Sequence, residues 1–223
     1  MAEIYLIRHA QAAFGTDDYD RLTELGHRQS RWLGEYFAER GLHFDRVVSG
    51  TLRRHRETLA GISEALAGLP ETLALEGLNE YQADVLLGAH FGRDNLARIE
   101  RDGDRRAHFR ILRETLYAWV DGALQTDAHA PFEAFTAGVR EGLAAARAPG
   151  AQRVLIVSSG GPISTLIGTV LGLAPRTMVE LNLQARNTGV TEFRAGARNI
   201  HCVSFNNVPH LDRPERRDAI TYS

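Results

Sequence analysis

The chain has 223 residues, of which 43% are hydrophobic and 24% are charged, and its formal net charge at pH 7 is -2. A chain of this length and composition can bury a sizeable core by itself, and its single cysteine, Cys202, excludes an internal disulfide. The nearly balanced charge gives no overall attraction to nucleic acid or to an anionic membrane. A site that handles phosphate must therefore be a local cluster of basic residues.

The sequence favours a cytoplasmic protein that does not enter a membrane. The first apolar run covers only residues 4–7, which is too short for the hydrophobic region of a signal peptide. No segment approaches the ~20 consecutive apolar residues that a membrane-spanning helix needs. A single cysteine also agrees with a reducing compartment.

Apolar runs and amphipathic stretches alternate along the first 80 residues. Residues 4–7 (IYLI) predict a buried strand, and residues 22–41 predict a helix whose N-cap is Thr23. Residues 45–49 (DRVVS) predict a second strand, and an amphipathic stretch after them predicts a second helix. Residues 72–80 predict a short edge strand that runs into a loop.

The last third of the chain repeats this alternation. A helical stripe of apolar residues covers 132–146, and residues 153–159 (RVLIVSS) form the strongest predicted strand, of the kind found at the centre of a parallel sheet. Residues 160–172 predict the next helix, with a proline in its first turn. Two late runs of strand-forming residues, 189–195 and 199–205, complete the predicted sheet.

This order of elements predicts an α/β fold, in which a mainly parallel central sheet lies between two layers of helices. Residues 82–131 have only weak helical periodicity, and we interpret them as a partly helical insertion over the active-site end of the sheet. We expect residues 1–223 to form a single domain that includes this insertion.

Basic and polar residues follow several of the predicted strands. Arg8 and His9 follow the first strand, Arg53 and Arg54 follow the second, and residues 158–162 (SSGGP) end the central one. In open α/β sheets the ligand crevice lies outside the carboxyl ends of the strands, so these residues are expected at one rim. There, two guanidinium groups can clamp a phosphate. Taken one at a time, the same residues also fit solvated loops.

The motifs with this chemistry occur in a definite order along the chain: RHA (8–10), LTELGHRQ (22–29), TLRRHRET (51–58), LNE (78–80), and later NTGVTEF (187–193) and FNNVPHL (205–211). Their order and spacing resemble the signature of the histidine phosphatase superfamily, which is also called phosphoglycerate-mutase-like. The resemblance covers residues 1–81 and 132–211 and leaves the insertion unmatched.

The resemblance implies a role for each matched residue. His9 is expected to attack phosphorus and form a phosphohistidine, while Arg8 and Arg54 neutralise the phosphoryl oxygens. Glu80 is expected to protonate the leaving oxygen and later to activate water. Three further residues, namely Gln11, Ser159 and Gly160, are expected to bind the substrate. The family mechanism implies neither a metal ion nor an organic cofactor.

The sequence departs from the family pattern at two positions. Ala10 replaces the glycine of the RHG motif, and Ser159 replaces a second histidine that the family carries after the central strand. The loss of one positioned donor typically lowers the rate about 10²–10³-fold. From the sequence alone, His210 and His108 are candidates to fill the gap, although a structural role suits each better. Ser159→His is expected to keep or increase turnover.

The leading hypothesis from the sequence is a phosphatase that hydrolyses a small phosphorylated substrate through phospho-His9. The alternative is a weak or inactive relative that binds a phosphorylated metabolite or protein, and a phosphoglycerate mutase is less favoured. Arginines of the insertion could select the substrate or could simply face water: Arg93, Arg98, Arg101, Arg105 and Arg106. The sequence leaves the oligomeric state open, with a homodimer as one option.

Overall fold

The computed structural model describes residues 1–13, 18–92, 95 and 105–222. Its strands are β1 (Ala2–Arg8), β2 (Arg46–Ser49), β3 (Thr72–Ala74), β4 (Arg153–Ser158), β5 (Val190–Ala195) and β6 (Ile200–Asn207). Its helices are α1 (Glu24–Glu39), α2 (Arg53–Ala65), α3 (Ala83–Phe91), α4 (Arg105–Val120), α5 (Phe132–Ala146), α6 (Gly160–Leu171) and α7 (Pro175–Leu183). Short 3-10 helices cover Glu76–Leu78 and Pro214–Ala219.

The strands form one six-stranded sheet in the order β3-β2-β4-β1-β5-β6. The first four of these strands are parallel, while β5 and β6 pair antiparallel at one side. In the centre, Arg8 of β1 lies opposite Ser158 of β4, and Ser49 of β2 lies opposite Val157. The predicted α/β fold with a mainly parallel sheet is therefore confirmed, and three strands end at the same level.

The two faces of the sheet bury separate apolar clusters. Ile4, Leu6 and Ile156 point to one face and pack with residues of α5 and α6. Ile7 and Leu155 point to the other face and pack with residues of α1 and α2. Because successive side chains of a strand alternate between faces, these apolar strands require helices on both sides. The result is the predicted three-layer arrangement.

The insertion contains the helices α3 and α4. Leu86 of α3 and Leu116 and Trp119 of α4 are buried against Val179 of α7 and the half-buried ring of Tyr81. The part of the insertion that the structure describes is thus partly helical, and its helices pack against Tyr81, the residue after Glu80. The assignment of residues 1–223 to one domain stays a prediction.

The proposed role of the insertion arginines can be followed only in part. Arg93, Arg98 and Arg101 lie outside the described residues, as does the side chain of Arg105. Arg106 lies exposed on α4.

Among the helices that the structure describes, none combines the length and the apolar character that crossing a membrane requires.

The packing of α1 on α2 gives a test of the fold. A Cβ on Gly34 would lie 2.3 Å from the carbonyl oxygen of Ile62. We expect Gly34→Ala to lower the free energy of unfolding by about 1–3 kcal/mol, because overpacking backbone against backbone outweighs the ~1 kcal/mol that alanine gains over glycine in a helix. Urea denaturation measures this change. Gly196→Ala is the control, since its Cβ would lie 3.7 Å from the nearest atom, and equal stability of both variants would contradict the prediction.

Candidate active site

The ends of β1, β4 and β2 bring the predicted site residues to one rim. The backbone N–H of His9 donates to the Ser158 carbonyl at 2.8 Å, which continues the β1–β4 pairing by one residue beyond the strand. On the other side of β4, the N–H of Gly50 donates to the Val157 carbonyl at 3.1 Å. Side chains that follow these three strands therefore converge, as the sequence predicted.

His9 is buried, with 1% of its surface exposed. Its Nδ1 lies 2.7 Å from the Ala10 carbonyl oxygen. A carbonyl only accepts hydrogen bonds, so Nδ1 carries the proton and the lone pair remains on Nε2. Burial, followed by the nearby Arg54 and Arg8, holds the pKa of His9 well below its ordinary value of 6.5. The ring is therefore neutral and has an unprotonated nitrogen available for attack.

The backbone beneath His9 is held by the loop before β5. Asn187 donates its side-chain amide to the His9 carbonyl at 3.2 Å, and the N–H of Thr188 donates to the Arg8 carbonyl at 3.1 Å. Thr188 has a φ of 55°, a left-handed conformation that is costly for a residue with a branched side chain. This loop belongs to the NTGVTEF motif, so the motif supports the backbone of Arg8 and His9.

Arg8 and Arg54 each have part of the guanidinium group engaged with protein. Nη1 of Arg8 donates to the carbonyls of Ala185 and Tyr222. Nη1 of Arg54 donates to Asp20 Oδ1 at 2.7 Å. The Nε atoms of both arginines are buried and have no hydrogen-bond partner in the protein. Two unpaired, buried cationic donors beside His9 are the groups that an incoming phosphate oxygen would satisfy.

Arg53 has a different environment from Arg54. It is exposed and forms ion pairs with Asp18 and Glu57, at 2.9 and 2.6 Å. The structure therefore places Arg54, and not Arg53, at the rim beside His9. This is the assignment that the motif spacing predicted.

Glu80 lies at the N-terminus of α6. Its Oε1 accepts a hydrogen bond from the Gly161 N–H at 3.0 Å. Burial raises the pKa of Glu80 above its ordinary value, although Arg54, Arg8 and the Gly161 N–H oppose the rise. A Cβ on residue 161 would lie 2.3 Å from Oε1, so only glycine lets the helix terminus approach the carboxyl group this closely. The structure thus places Glu80 near Arg8 and Arg54, the two arginines that also act on His9.

The two glycines after β4 have different environments. The sequence predicts that Gly160 binds the substrate, whereas the N–H of its neighbour Gly161 is occupied by Glu80. The carboxyl group lies at the start of α6, where the N-terminal N–H groups attract negative charge. Gly160 is the first residue of α6.

Ala10 and Gln11 both have well-defined structural partners. The N–H of Ala10 donates to Thr58 Oγ1 at 3.0 Å. Among the described residues, Ala10 is not one of those with positive φ, so the methyl group in place of a glycine causes no backbone strain. The side-chain oxygen of Gln11 accepts a hydrogen bond from the Thr23 hydroxyl at 2.8 Å. Substrate binding by Gln11 stays a prediction.

Sequence reasoning missed a second imidazole in the site. Nε2 of His55 lies 2.8 Å from the hydroxyl oxygen of Ser159, and the rings of His55 and His9 are 5.8 Å apart. His210, one of the two candidates proposed to fill the gap, instead bonds to the Thr188 hydroxyl at 2.8 Å and supports the loop below His9. The other, His108, lies on α4 and packs its ring against Phe109.

The signal that could have identified His55 was present in the sequence. His55 directly follows Arg54 at the start of a helix whose first residues were already placed at the rim. Tyr19 and Asp20 were also missed. Asp20 pairs with Arg54, and the Arg54 guanidinium lies over the Tyr19 ring at 5.3 Å. Neither residue belongs to the motifs that carried the prediction.

Comparison with known proteins agrees with this geometry. The family model described as "Histidine phosphatase superfamily (branch 1)" matches residues 4–208. The chain belongs to this superfamily. Its sequence is 26% identical over 174 residues to the broad-specificity phosphatase YOR283W of Saccharomyces cerevisiae, which covers 74% of this chain and 68% of the yeast protein. Family membership and this relative support a phosphatase function.

Solved structures of other members have the same fold. The mycobacterial glucosyl-3-phosphoglycerate phosphatase Rv2419c, in complex with inorganic phosphate, superimposes with a TM-score of 0.66 at 22% identity, over 95% of this chain and 100% of that chain. A phosphoserine phosphatase mutant from Entamoeba histolytica, in complex with phosphoserine, gives a TM-score of 0.62 at 23% identity, over 95% and 100% of the two chains. At these identities the likeness shows the fold alone.

Among residues 1–13, 18–92, 95 and 105–222, no group of three or more His, Cys, Asp or Glu side chains is arranged to hold a metal ion. The absence of a metal or cofactor requirement stays a prediction.

The buried histidine His210 makes stability depend on pH. Burial, with a contribution from Arg216, lowers the pKa of His210 to about 3. Below pH 6.5 the unfolded chain binds a proton at this residue that the folded chain does not bind. The contribution of neutral His210 to the free energy of unfolding is therefore fully present above pH 6.5. It is lost as the pH falls toward 3, by about 1.4 kcal/mol per pH unit.

We expect His210→Gln to reduce the slope of unfolding free energy against pH by about 1.4 kcal/mol per pH unit between pH 4.5 and 5.5. Urea denaturation at several pH values in this range measures the slope for wild type and variant. His43→Gln is the control, because His43 is exposed. An identical slope in wild type and His210→Gln would show that His210 does not titrate on unfolding.

Proposed function

We propose that this protein is a metal-independent phosphomonoesterase that acts through a phosphohistidine intermediate on His9. The observation that carries the proposal is the state of the His9 ring, which is buried, neutral and bound at Nδ1 to the Ala10 carbonyl, so that Nε2 is unprotonated. A ring nitrogen held in this way is a ready nucleophile for phosphorus. The arginines beside it would hold the group that it attacks.

Phosphate binding is supported by the two guanidinium groups. The unpaired Nε atoms of Arg8 and Arg54 offer buried, charge-assisted hydrogen bonds to phosphoryl oxygens. The carboxylate of Asp20 pairs with Arg54 and is itself partly exposed, with 37% of its side chain accessible. A bound phosphate can therefore pair with Arg54 together with Asp20, or displace Asp20, whose carboxylate is still accessible to water.

The reaction would proceed in two displacements at phosphorus. In the first, a bond forms between His9 Nε2 and phosphorus while the bond to the ester oxygen breaks, and Glu80 gives its proton to that oxygen. In the second, water attacks phosphorus and loses a proton to Glu80, the bond to Nε2 breaks, and inorganic phosphate leaves. Arg8 and Arg54 stabilise the charge on the equatorial oxygens throughout.

Glu80 has the environment that this double role requires. Its raised pKa favours the protonated carboxyl group that must donate in the first step. The negative charge of a bound phosphomonoester would raise this pKa further. The hydrogen bond from Gly161 keeps the carboxyl group in place in both protonation states.

We propose a small phosphorylated molecule as the substrate. Tyr81 directly follows Glu80, its hydroxyl accepts a hydrogen bond from Asn182 at 2.8 Å, and its ring packs against Trp119 of the insertion. The insertion thus packs against the residue next to the proposed acid. A cytoplasmic location and a homodimer remain predictions from the sequence.

The first test is the release of inorganic phosphate from a panel of phosphomonoesters. We expect wild-type protein to hydrolyse members of the panel without added metal, and we expect His9→Ala to be slower by about 10³-fold or more, because the nucleophile is lost. His43→Ala, which removes an exposed imidazole, should match the wild type. Equal background rates for wild type and His9→Ala would favour a binding protein that does not turn over.

The second test separates the acid from the nucleophile. We expect Glu80→Gln to slow hydrolysis of alkyl phosphates by about 10²–10⁴-fold, because the alkoxide cannot leave without a proton. With p-nitrophenyl phosphate the leaving group needs no proton, so a rapid burst of nitrophenolate should remain before a slow steady state. Glu76→Gln, at an exposed nearby carboxylate, is the control. A loss of the burst equal to the loss with alkyl esters would exclude Glu80 as the acid.

A further inference from the structure

A second imidazole reaches the nucleophile from an unexpected element. The family carries its second histidine directly after the central strand, where this chain has Ser159. His55 comes instead from the first turn of α2, and its ring lies 5.8 Å from that of His9. Both His55 and Ser159 are fully buried. The site therefore contains two histidine rings in spite of the serine.

The fold makes this approach possible through a glycine. Residue 50 links β2 to the turn before α2, and a Cβ there would lie 2.3 Å from His55 Nδ1 and 2.7 Å from Asn79 Oδ1. Gly50 thus leaves the space that the His55 ring occupies. Because β2 is the direct neighbour of β4, the ring needs to cross only one strand spacing to reach Ser159.

Ser159 uses its hydroxyl group in an unusual way for its position. It is the N-cap residue of α6, where a serine side chain normally accepts a hydrogen bond from the backbone of the first turn. No such bond is present at this helix, and the hydroxyl lies 2.8 Å from His55 Nε2 instead. The side chain is therefore oriented by His55 and not by the helix.

We propose that His55 and Ser159 act as one unit in place of the missing histidine. The Nε2–H of His55 donates to Ser159 Oγ, and the freed Ser159 O–H donates to an oxygen of the phosphoryl group on His9. Ser159 contacts the reacting group, while His55 is a positioning residue that acts through it. The proposal rests on the phosphatase function proposed above.

The choice of tautomer follows from the surroundings of the ring. Burial, followed by the charge of Arg54, lowers the pKa of His55 to about 3, so the ring carries a single N–H at neutral pH. Nδ1 forms no hydrogen bond of normal geometry, although the backbone of Gly50 is close enough to oppose the fall in the pKa. A buried N–H without a partner is rarer than a buried acceptor without one, which favours the proton on Nε2, where Ser159 can accept.

The occupied space changes one expectation from the sequence. Ser159→His was expected to keep or increase turnover, since it restores the family residue. An imidazole at position 159 would have to enter the volume that the His55 ring already fills, 2.8 Å from Oγ. We now expect this single variant to lose activity, and the double variant His55→Ala/Ser159→His, which vacates the space, to regain it.

The test is a kinetic cycle on one phosphomonoester that the wild type hydrolyses. We expect Ser159→Ala and His55→Ala each to lower kcat by about 10²-fold with little change in KM, because the donor acts in the transition state. The variant that combines both changes should fall no further, since the two residues serve one hydrogen bond. His55→Gln, whose amide can donate to Ser159, should stay within about tenfold of wild type. The double variant His55→Ala/Ser159→His, the exchanged pair, should have a kcat at least about tenfold above that of His55→Ala.

Loss of stability is distinguished from loss of positioning by a control in the same helix. Ile62→Val removes one buried methyl group from α2 away from the site and should keep the wild-type kcat. Thermal melting of every variant accompanies the kinetics. Full activity of Ser159→Ala, or an exchanged pair no better than His55→Ala, would overturn the proposal.

A second measurement does not depend on turnover. Long-range ¹H–¹⁵N correlation spectra of the imidazoles report the tautomer of each histidine. We expect His55 to be protonated at Nε2, and its signals to shift in Ser159→Ala while those of His210 do not. A His55 ring protonated at Nδ1 would overturn the proposal. If wild type and His9→Ala were equally inactive, the proposed function would fail, and these spectra would still show whether the pair exists as described.

Discussion

The register between β1 and β4 is the constraint on which the site depends. Arg8 lies opposite Ser158, and the His9 N–H donates to the Ser158 carbonyl. A shift of this pairing by one residue would turn every side chain of a strand to the opposite face. The apolar residues on both faces of β1 and β4 oppose such a shift, because each packs into its own cluster. The hydrophobic core thus positions His9, the proposed nucleophile.

The charges of the site are balanced by groups that approach from the rim. Two guanidinium groups next to a buried, neutral imidazole would be costly without partners. Asp20 compensates Arg54, and backbone carbonyls accept from Arg8. Glu80 lies at the N-terminus of α6, where the helix favours a carboxylate while burial favours the protonated form. This opposition suits a group that must both donate and accept a proton.

Much of the fold could be predicted because periodicity and turn residues determine local structure. The apolar runs at β1 and β4 and the cap at Thr23 appear in the structure as the sequence indicated. Motif spacing also indicated Arg54 rather than Arg53, since one residue of displacement at a helix start changes the direction of a side chain by about 100°. What local pattern did not reveal was the contact between His55 and Ser159, which are 104 residues apart.

The sequence by itself determined the α/β class, the order of the strands and of the helices other than α7 and those of the insertion, and the candidate residues His9, Arg8, Arg54 and Glu80. These follow from periodicity and from the resemblance of short motifs, both of which are properties of neighbouring residues. Only the tertiary structure decided which histidine stands beside the nucleophile and which partner holds the carboxyl group. The physical reason is that two positions on different strand ends become neighbours only when the sheet order and register are set, and no local pattern contains that information.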